Sequence, residues 1–416
     1  MSPPSAARPL VRVPVPPGVD GATRLLTALA SALDGTGPAI APIPTVSSAV
    51  SNDYVMAMLA AVRPDDASLP LESSDVAVVV ATSGSTGAPR GVLLTAAQLT
   101  AMTGVVNGLG SPQWIAALPV SSMGGLNVLV RALATGRDPV VLPSIGGAGP
   151  FTDADFSAAV ETACGQADDV RVALVPAQVS RLLTTDRGIR ALQRCRAILV
   201  GGAPIRPSLR SAAAELGVAL TTTYGATETA GGCVFDGRPL PGVAVTVDHG
   251  AVPGAPADLD GAGPLTITGP SVALGYRGEP ELTAACFVDG GFRTSDLGWV
   301  APDGNVTVLG RSDDVVVIRG VNVSPLAVER VIADLPDVVA AAAVSVVEDS
   351  GEPVLHAFVE VREAAGDAER TAGDEVVQRL GRSAAPVVHR VDRLPHLPNG
   401  KVDRRLLQQW ASDWAG

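Results

Sequence analysis

The 416-residue sequence has few charged residues and cysteines, no long apolar run and no basic block, and these shortages exclude several classes of protein. Charged residues make up 17%, against about 25% in an ordinary globular domain, yet no apolar run reaches the about 18 residues of a membrane span. The formal net charge is -12 with no Lys- or Arg-rich block, which argues against nucleic acid or an anionic membrane as partner. We therefore expect a soluble protein.

Its four cysteines, Cys164, Cys195, Cys233 and Cys286, lie far apart and form no C-x-x-C pair. This spacing predicts neither a zinc site nor a disulfide framework, so reduced thiols are expected. The segment Met1–Asp20 is rich in Pro and Ala and lacks the continuous apolar stretch of a signal peptide. A cytoplasmic location is the corresponding expectation.

The length favours more than one domain. Up to Gly242, short Val/Ile/Leu-rich runs such as Val218–Thr222 alternate with Ala-rich helical stretches such as Ala96–Val106, which predicts an α/β fold with largely parallel strands. Gly/Pro/Asp turns then separate short strands and predict a β-rich subdomain. A polar turn after residue 311 precedes an α+β pattern. We predict an N-terminal domain over 1–311 and a small, mobile C-terminal lid over 312–416.

A hydroxyl- and glycine-rich stretch, Thr82–Gly91, directly follows the apolar run Val76–Ala81. Its glycines permit backbone turns with inward N–H groups, its hydroxyls add donors, and Arg90 adds a fixed charge, which together predict a polyphosphate cradle. It lacks the G-x-x-x-x-G-K-[ST] spacing of a Walker A loop. A flexible Ser/Gly linker is the alternative, and the apolar runs on both sides argue against it.

The stretch Tyr224–Thr229 follows a second predicted strand. An aromatic ring before a glycine turn can lie against a purine, and the acidic side chain of Glu228 at the strand end can hold the Mg²⁺ that bridges phosphates. Upstream, Gly201–Pro204 would let backbone groups approach a flat base. The alternative for both is an ordinary surface turn.

The loop at Thr82–Gly91 resembles the T-S-G-[ST]-T-G-x-P-K-G signature of the adenylate-forming superfamily, with Arg90 in place of Lys. That superfamily contains acyl- and aryl-CoA ligases, luciferases and peptide-synthetase adenylation domains. Further stretches match its other elements in the expected order: Gly201–Pro204, Tyr224–Thr229, Arg293–Gly298, Gly310–Asp314 and Leu397–Arg404. The resemblance extends from Asp75 to the C-terminus.

This resemblance implies how the nucleotide is held. It places Tyr224 on adenine, Glu228 on Mg²⁺ and Asp296 on both ribose hydroxyls, with Arg311 reaching the ribose and phosphate. The nucleotide-binding candidates are Thr82, Ser83, Gly84, Ser85, Thr86, Gly87, Gly202, Ala203, Tyr224, Gly225, Thr227, Asp296 and Arg311.

The catalytic candidates are Lys401, Arg90 and Glu228. By the same resemblance Lys401 falls on the catalytic lysine, and Asp313 is the hinge about which the lid rotates between the two half-reactions.

Within the superfamily the chain most resembles o-succinylbenzoate–CoA ligases, through its short length and through Leu118–Arg131, which follows a P-x-x-H-x-x-G-L-x-V-L-x-R pattern. Two positions depart from it. Ser122 stands where the family has a His beside the acyl pocket, and Arg319-Gly320 stands where CoA ligases have Gly-Gly. The predicted pocket residues are Ser122, Gly125 and Ala226.

The implied function is ATP- and Mg²⁺-dependent activation of an aromatic carboxylic acid to its acyl-adenylate, followed by transfer to CoA. Ser122 predicts an acid that differs in shape or charge from o-succinylbenzoate. One alternative is transfer to an amine, a carrier protein or an inorganic nitrogen nucleophile. Another is a nucleotide-binding homologue without turnover, disfavoured because Glu228, Asp296, Arg311 and Lys401 are all present. The exact acid, the acceptor and the oligomeric state stay open.

Overall fold

The computed structural model describes residues 8–82, 89–248, 262–318, 321–347, 353–361, 368–397 and 401–415. The predictions for Ser83, Gly84, Ser85, Thr86 and Gly87, and for Arg319-Gly320, lie outside these residues. The chain forms two compact units. The first comprises Met1–Ile205, Leu209–Ala244 and Ile267–Phe292, and the second comprises Arg206–Ser208, Val245–Thr266 and Arg293–Gly416.

The elements alternate between strand and helix over most of the chain. As far as Val288 they are β1 (Leu10–Val15), α1 (Val19–Leu33), β2 (Ala39–Pro44), α2 (Asn52–Val62), β3 (Val76–Ala81), β4 (Gly91–Thr95), α3 (Ala96–Thr100), α4 (Thr103–Asn107), β5 (Gln113–Ala116), α5 (Met123–Thr135), β6 (Val140–Val141), α6 (Asp153–Cys164), β7 (Val170–Leu174), α7 (Pro176–Leu182), α8 (Asp186–Gln193), β8 (Ala197–Val200), α9 (Pro207–Glu215), β9 (Leu220–Ala226), β10 (Gly231–Phe235), β11 (Arg238–Pro239), β12 (Ala244–Val247), β13 (Gly263–Thr268), β14 (Gly275–Tyr276), α10 (Pro280–Cys286) and β15 (Phe287–Val288). The remaining elements are β16 (Gly291–Val300), β17 (Val306–Arg311), β18 (Val316–Ile318), β19 (Val321–Val323), α11 (Pro325–Ala333), β20 (Val338–Val347), β21 (Pro353–Val361), α12 (Ala368–Leu380), β22 (Val387–Arg390) and α13 (Arg404–Ala415).

The first sheet has the strand order β1-β2-β3-β4-β14. β1, β2 and β3 are parallel, β4 runs antiparallel to β3, and β14 runs antiparallel to β4. All of β3 is buried, which suits its unbroken Val/Ala sequence, because a strand covered on both faces needs no polar side. The predicted phosphate cradle connects β3 to β4 and therefore starts from a rigid strand.

The second sheet has the order β11-β10-β9-β8-β7-β5-β6. Its strands β9, β8, β7, β5 and β6 are mutually parallel, while β10 and β11 are antiparallel additions at one side. The core of the first unit lies between sheets and helices, with fully buried Leu25 and Leu29 of α1 and Leu126 and Leu129 of α5. This architecture confirms the predicted α/β class.

Two predicted elements have different bounds in the structure. The strand predicted at Val218–Thr222 runs instead to Ala226, because β10 pairs with its last residues. The helix predicted at Ala96–Val106 is broken into α3 and α4. A capping box at Thr95 starts α3, and the Thr100 hydroxyl donates back to the Ala96 carbonyl (2.8 Å), a local bond that competes with helix continuation.

The second unit contains a β-rich part and an α+β part. β13 lies between β12 and β16, and β17 pairs antiparallel with the later residues of β16. Further along, β20, β21 and β22 form a sheet in which α12 makes the crossover between the parallel strands β21 and β22. α11 is tied to α13 by an ion pair between the Arg404 guanidinium and Glu329 (2.6 Å). Among the described residues, no helix is long and apolar enough to cross a membrane.

Candidate active site

The carboxyl ends of the parallel strands bring several predicted residues to one edge of the second sheet. Gly202 follows β8, Glu228 follows β9, and Ser122 comes after β5 at the start of α5. Parallel strands end at the same edge, and in open α/β sheets ligands bind outside those ends. Gly202, Glu228 and Ser122 therefore lie at the same edge of the second sheet, whereas Thr82 follows β3 of the first sheet.

Backbone geometry explains two of the predicted glycines at this edge. Gly202 has φ = 81°, a conformation that side-chain-bearing residues rarely adopt. Gly225 lies within β9, where a Cβ would overlap the backbone of Gly231 on β10. Tyr224 and Gly225 are thus strand residues rather than part of the turn that the sequence predicts, so Thr227 and Glu228 begin the turn. Ala203 is exposed next to Gly202.

The predicted pocket residues lie on α5 and at the end of β9. The Ser122 hydroxyl donates to the Pro119 carbonyl at 2.7 Å, so it stabilises its own turn. Gly125 is buried in α5, and the Ala226 N–H donates to the Thr229 hydroxyl at 2.9 Å. A hydrogen bond between Ala226 and Thr229 therefore stabilises the turn that carries Glu228.

The phosphate cradle is closed at its base. The Thr82 N–H donates to the Arg90 carbonyl (2.8 Å), and the Arg90 N–H donates to the Thr82 hydroxyl (2.9 Å). Both bonds join Thr82 to Arg90, which lie on either side of the part of the loop outside the described residues. The side chain of Arg90 is exposed, and its guanidinium carbon lies 5.5 Å from the ring centroid of Tyr276.

Glu228 is buried, with 9% of its surface exposed, and its Oε1 accepts a hydrogen bond from the Tyr276 hydroxyl at 2.8 Å. Burial raises the pKa of Tyr276, and the neighbouring Glu228 carboxylate raises it further. The phenol therefore stays protonated at neutral pH and acts as the donor. One side chain thus touches both a predicted Mg²⁺ ligand and a predicted phosphate-binding cation.

This donor set fits Mg²⁺ that arrives on a nucleotide. Mg²⁺ is commonly bound by one or two carboxylates together with substrate phosphates and water, rather than by a cage of protein ligands. A carboxylate has two oxygens, and the bond from Tyr276 occupies one lone pair of Glu228, which leaves acceptor capacity for a cation. Within the described part of the chain there is no group of three or more His, Cys, Asp or Glu side chains that would make a resident metal site.

In the second unit, Asp296 and Arg311 face each other across strands β16 and β17. The Arg311 guanidinium lies 3.5 Å from the Asp296 carboxylate, and the Asp296 N–H donates to the Thr294 hydroxyl at 3.0 Å. The structure therefore pairs the two residues that the resemblance places on the ribose. Their cross-strand register holds a carboxylate beside a guanidinium, a combination suited to a ribose and its phosphate.

The lid candidates lie at turns of the second unit. Asp313 belongs to a one-turn 3₁₀ helix, Ser312–Asp314, immediately after β17. Lys401 lies just before α13, where its carbonyl accepts from the Leu397 N–H at 2.7 Å. Lys401 is also the only lysine in the sequence, although Lys and Arg together number 30. The other 29 of these 30 residues are arginines. The single lysine therefore marks position 401 as a candidate, which motif matching alone does not show.

Sequence reasoning missed Tyr276 and its neighbour Arg277. The Arg277 side chain is almost fully buried and donates to the carbonyls of Val62 (3.1 Å), Leu69 (2.6 Å) and Pro70 (2.8 Å). The sequence offers only a weak signal, a Gly-Tyr-Arg run between turns. Their roles depend on contacts with residues more than 40 positions away.

Comparison with known proteins shows the family of this chain. The family model described as AMP-binding enzyme matches residues 26–277. A probable 2-succinylbenzoate–CoA ligase from Mycobacterium tuberculosis is 35% identical over 389 residues, which cover 92% of this chain and 94% of that protein. The chain belongs to the AMP-binding enzyme family. The predicted superfamily, and the prediction of an ATP-dependent, AMP-forming ligase, are thereby confirmed.

Several solved structures share the fold of this chain. Amide bond synthetase McbA from Marinactinospora thermotolerans has a TM-score of 0.79 at 24% identity and covers 99% of this chain and 91% of its own. O-succinylbenzoate Coenzyme A synthetase (MenE) from Bacillus subtilis, in complex with AMP, has a TM-score of 0.75 at 22% identity, covering 96% and 88%. At these identities the likeness concerns the fold.

Proposed function

We propose that this enzyme activates an aromatic carboxylic acid of the 2-succinylbenzoate class with Mg·ATP and transfers the acyl group to CoA. The observation that carries the proposal is the 35% identity to the M. tuberculosis relative, which is spread over nearly the whole length of both chains. The strand-end cluster at Glu228 and the paired Asp296 and Arg311 supply the expected chemistry for a nucleotide.

In the first half-reaction a carboxylate oxygen of the acid attacks the α-phosphorus of ATP, and the bond to the bridging oxygen breaks to release pyrophosphate. The protein positions the reactants and stabilises the charge that develops, which are the main contributions in phosphoryl transfer. Glu228 would hold Mg²⁺, which neutralises charge on the phosphate oxygens when bound. Arg90 adds a fixed positive charge beside the cradle, and Lys401 bridges the carboxylate and α-phosphate.

In the second half-reaction the lid, residues 312–416, rotates about Asp313 and carries Lys401 out of the site. The CoA thiolate attacks the acyl carbonyl, the thioester C–S bond forms, and AMP leaves with the electrons of the C–O bond. Asp296 and Arg311 hold the ribose and phosphate of AMP throughout. Reorientations of this kind often limit turnover. ATP and CoA as substrates also fit the predicted cytoplasmic location.

The test is pyrophosphate release from a panel of aromatic and aliphatic acids, each measured with and without CoA. We expect aromatic acids to give a single stoichiometric burst without CoA and continuous turnover with it. A parallel arm with a primary amine or hydroxylamine in place of CoA tests the alternative acceptors. Continuous turnover with the nitrogen nucleophile but not with CoA would overturn the proposed acceptor, and no acid-dependent pyrophosphate release would overturn the proposed function.

A further inference from the structure

Tyr276 lies between the two charged groups of the phosphate site, with its hydroxyl on Glu228 and its ring beneath Arg90. We propose that Tyr276 is a positioning residue that orients both groups: its hydroxyl holds the Glu228 carboxylate in the orientation that takes Mg²⁺, and its ring holds the Arg90 guanidinium beside the phosphate loop. This inference rests on the proposed function, since it assigns Glu228 and Arg90 to Mg·ATP.

Glu228 is attached to the segment around Tyr276 at two points. Besides the side-chain hydrogen bond, the Glu228 carbonyl accepts from the Ala273 N–H at 2.8 Å. The backbone and the carboxylate of Glu228 are therefore both hydrogen-bonded to the same short segment, which contains Ala273 and Tyr276. Because a glutamate has several rotatable bonds, a second fixed point on its carboxylate removes much of the freedom that binding a cation would otherwise have to remove.

The same segment is attached to the strand that leaves the phosphate loop. In β14, Tyr276 pairs with Val92 and Gly275 pairs with Leu93, and the Arg277 N–H donates to the Gly91 carbonyl at 2.7 Å. Gly91 directly follows Arg90 in the sequence. Tyr276 is therefore held beside the loop strand by the backbone bond of its neighbour Arg277, while its side chain bonds to Glu228, so this segment links the two halves of the phosphate site.

Neighbouring side chains keep this strand and ring from moving. Arg277 is buried and anchored on several carbonyls, and it also lies 3.2 Å from the Glu72 carboxylate. On the other side, Tyr276 packs edge-on against Phe287, with ring centroids 5.3 Å apart. Only 3% of the Tyr276 surface is exposed. A hydroxyl held this rigidly fixes the position of its acceptor.

The contact with Arg90 suits arginine in particular. A planar guanidinium stacks on an aromatic face, whereas a lysine ammonium is a compact, strongly hydrated charge. The superfamily signature that the loop resembles has Lys at this position, so the Arg90–Tyr276 pair is a property of this chain's own residues. The guanidinium carbon of Arg90 lies 5.5 Å from the ring centroid of Tyr276, within the range of a cation–π contact.

The experiment measures ATP binding by calorimetry without any acid, once with Mg²⁺ and once with EDTA. Tyr276→Phe keeps the ring and removes the hydroxyl. We expect it to reduce the Mg²⁺-dependent gain in ATP affinity roughly tenfold, the order of one hydrogen bond to a charged group, and to leave Mg²⁺-free binding unchanged. Tyr276→Leu should also weaken Mg²⁺-free binding a few-fold, because the ring contact with Arg90 is lost.

Two further variants separate positioning from packing. Tyr54→Phe removes a tyrosine hydroxyl elsewhere in the first unit and should change neither affinity. Arg90→Lys alters an exposed side chain without disturbing the core, so it should weaken Mg²⁺-free binding a few-fold in the wild-type background and have no further effect beside Tyr276→Leu. In turnover assays, Tyr276→Phe should raise the Mg²⁺ concentration needed for half-maximal rate more than it lowers kcat at saturating Mg²⁺.

The results distinguish this inference from the proposed function. If Tyr276→Phe retains the full Mg²⁺-dependent gain, or if it lowers both affinities and the melting temperature in parallel, Tyr276 is a packing residue and the inference is wrong. If wild-type enzyme binds ATP with a Mg²⁺-dependent gain but no acid supports pyrophosphate release, the proposed function fails while the positioning role stands.

Discussion

At the scale of single residues, Lys401 is predicted to separate the two half-reactions. Lys401→Ala should slow pyrophosphate release by ~2–3 decades, since one preorganised donor to developing charge is typically worth ~3–4 kcal/mol. The reaction of synthetic acyl-adenylate with CoA should stay nearly intact, because the rotated lid no longer holds Lys401 at the site. Rapid-quench measurement of each half-reaction checks both statements. An equal loss of rate in both half-reactions would show that Lys401 does not have this role.

Ser122 is the residue on which the choice of acid is predicted to depend. Its side chain is smaller and uncharged compared with the His of the resembling ligases, and its hydroxyl is already used on the Pro119 carbonyl. Ser122→His should therefore change the ratio of kcat/KM values between 2-succinylbenzoate and other aromatic acids. A mismatched methylene-sized contact is worth ~1–3 kcal/mol, which corresponds to about one or two decades.

For this prediction the decisive comparison is within one panel of acids. Wild-type enzyme should prefer an acid other than 2-succinylbenzoate, and the His variant should move toward 2-succinylbenzoate. Ala134→Ser, at an exposed position of the same helix, serves as the control and should leave the order of acids unchanged. A wild-type enzyme that ranks 2-succinylbenzoate first, with an unchanged order in the variant, would refute a role for Ser122 in selection.

At the scale of elements, strand β22 carries His389 into an aromatic cluster of the second unit. A ring nitrogen of His389 is 2.9 Å from one of His356, and the ring centroid of His389 lies 4.8 Å from that of Trp414 on α13. Burial and the neighbouring His356 lower the pKa of His389 below 6.5, while Glu369 opposes this. Protonation of both imidazoles would remove their hydrogen bond.

The sign of the pH effect follows from this shift. Below about pH 6.5 the unfolded chain takes up a proton that the folded chain resists, so the free energy of unfolding falls as pH drops from about 6.5 to the lowered pKa. We expect a lower melting temperature at pH 5.5 than at pH 7.5, and a smaller difference in His389→Gln. Tryptophan fluorescence reports the transition. His396→Gln is the matched control and should keep the wild-type difference; if His389→Gln keeps it too, His389 is not its source.

Element by element, the sequence predicted what depends on local pattern and missed what depends on distant contacts. Strand β3 follows from its unbroken apolar run of residues, and the structure confirms it. The extension of β9 through Tyr224 required a partner strand that its own residues do not encode. Tyr276 could not be found because its acceptor lies 48 residues earlier in the chain.

At the scale of the whole molecule, the proposed mechanism requires the lid to adopt two orientations. Asp313→Pro fixes φ near -65° and removes an N–H at the predicted hinge, so only one orientation should remain accessible. We expect the variant to retain either pyrophosphate release or thioester formation, with the other rate strongly reduced. Each half-reaction is measured alone, with synthetic acyl-adenylate for the second. Asp314→Ala, one residue away, should leave both rates close to those of wild type.

Near-normal rates for both half-reactions in Asp313→Pro would contradict a rotation about this residue. The predicted lid boundary differs from the division into compact units, because Asp296 and Arg311 precede residue 312 but belong to the second unit together with Lys401. Motif order along the sequence predicted these residues, whereas a rotation about Asp313 has no signature in the sequence and is tested by this experiment.

The presence of a single lysine gives the chain an unusual response to proteolysis. A lysine-specific endoprotease has one peptide bond to cut, the one between Lys401 and Val402, and cleavage there breaks the covalent connection to α13. The rate of digestion therefore reports the exposure of this one loop, because the enzyme has no other site to cut in this sequence. Ligands that draw Lys401 into the active site should slow this cut, so a simple gel can follow the position of the lid through the catalytic cycle.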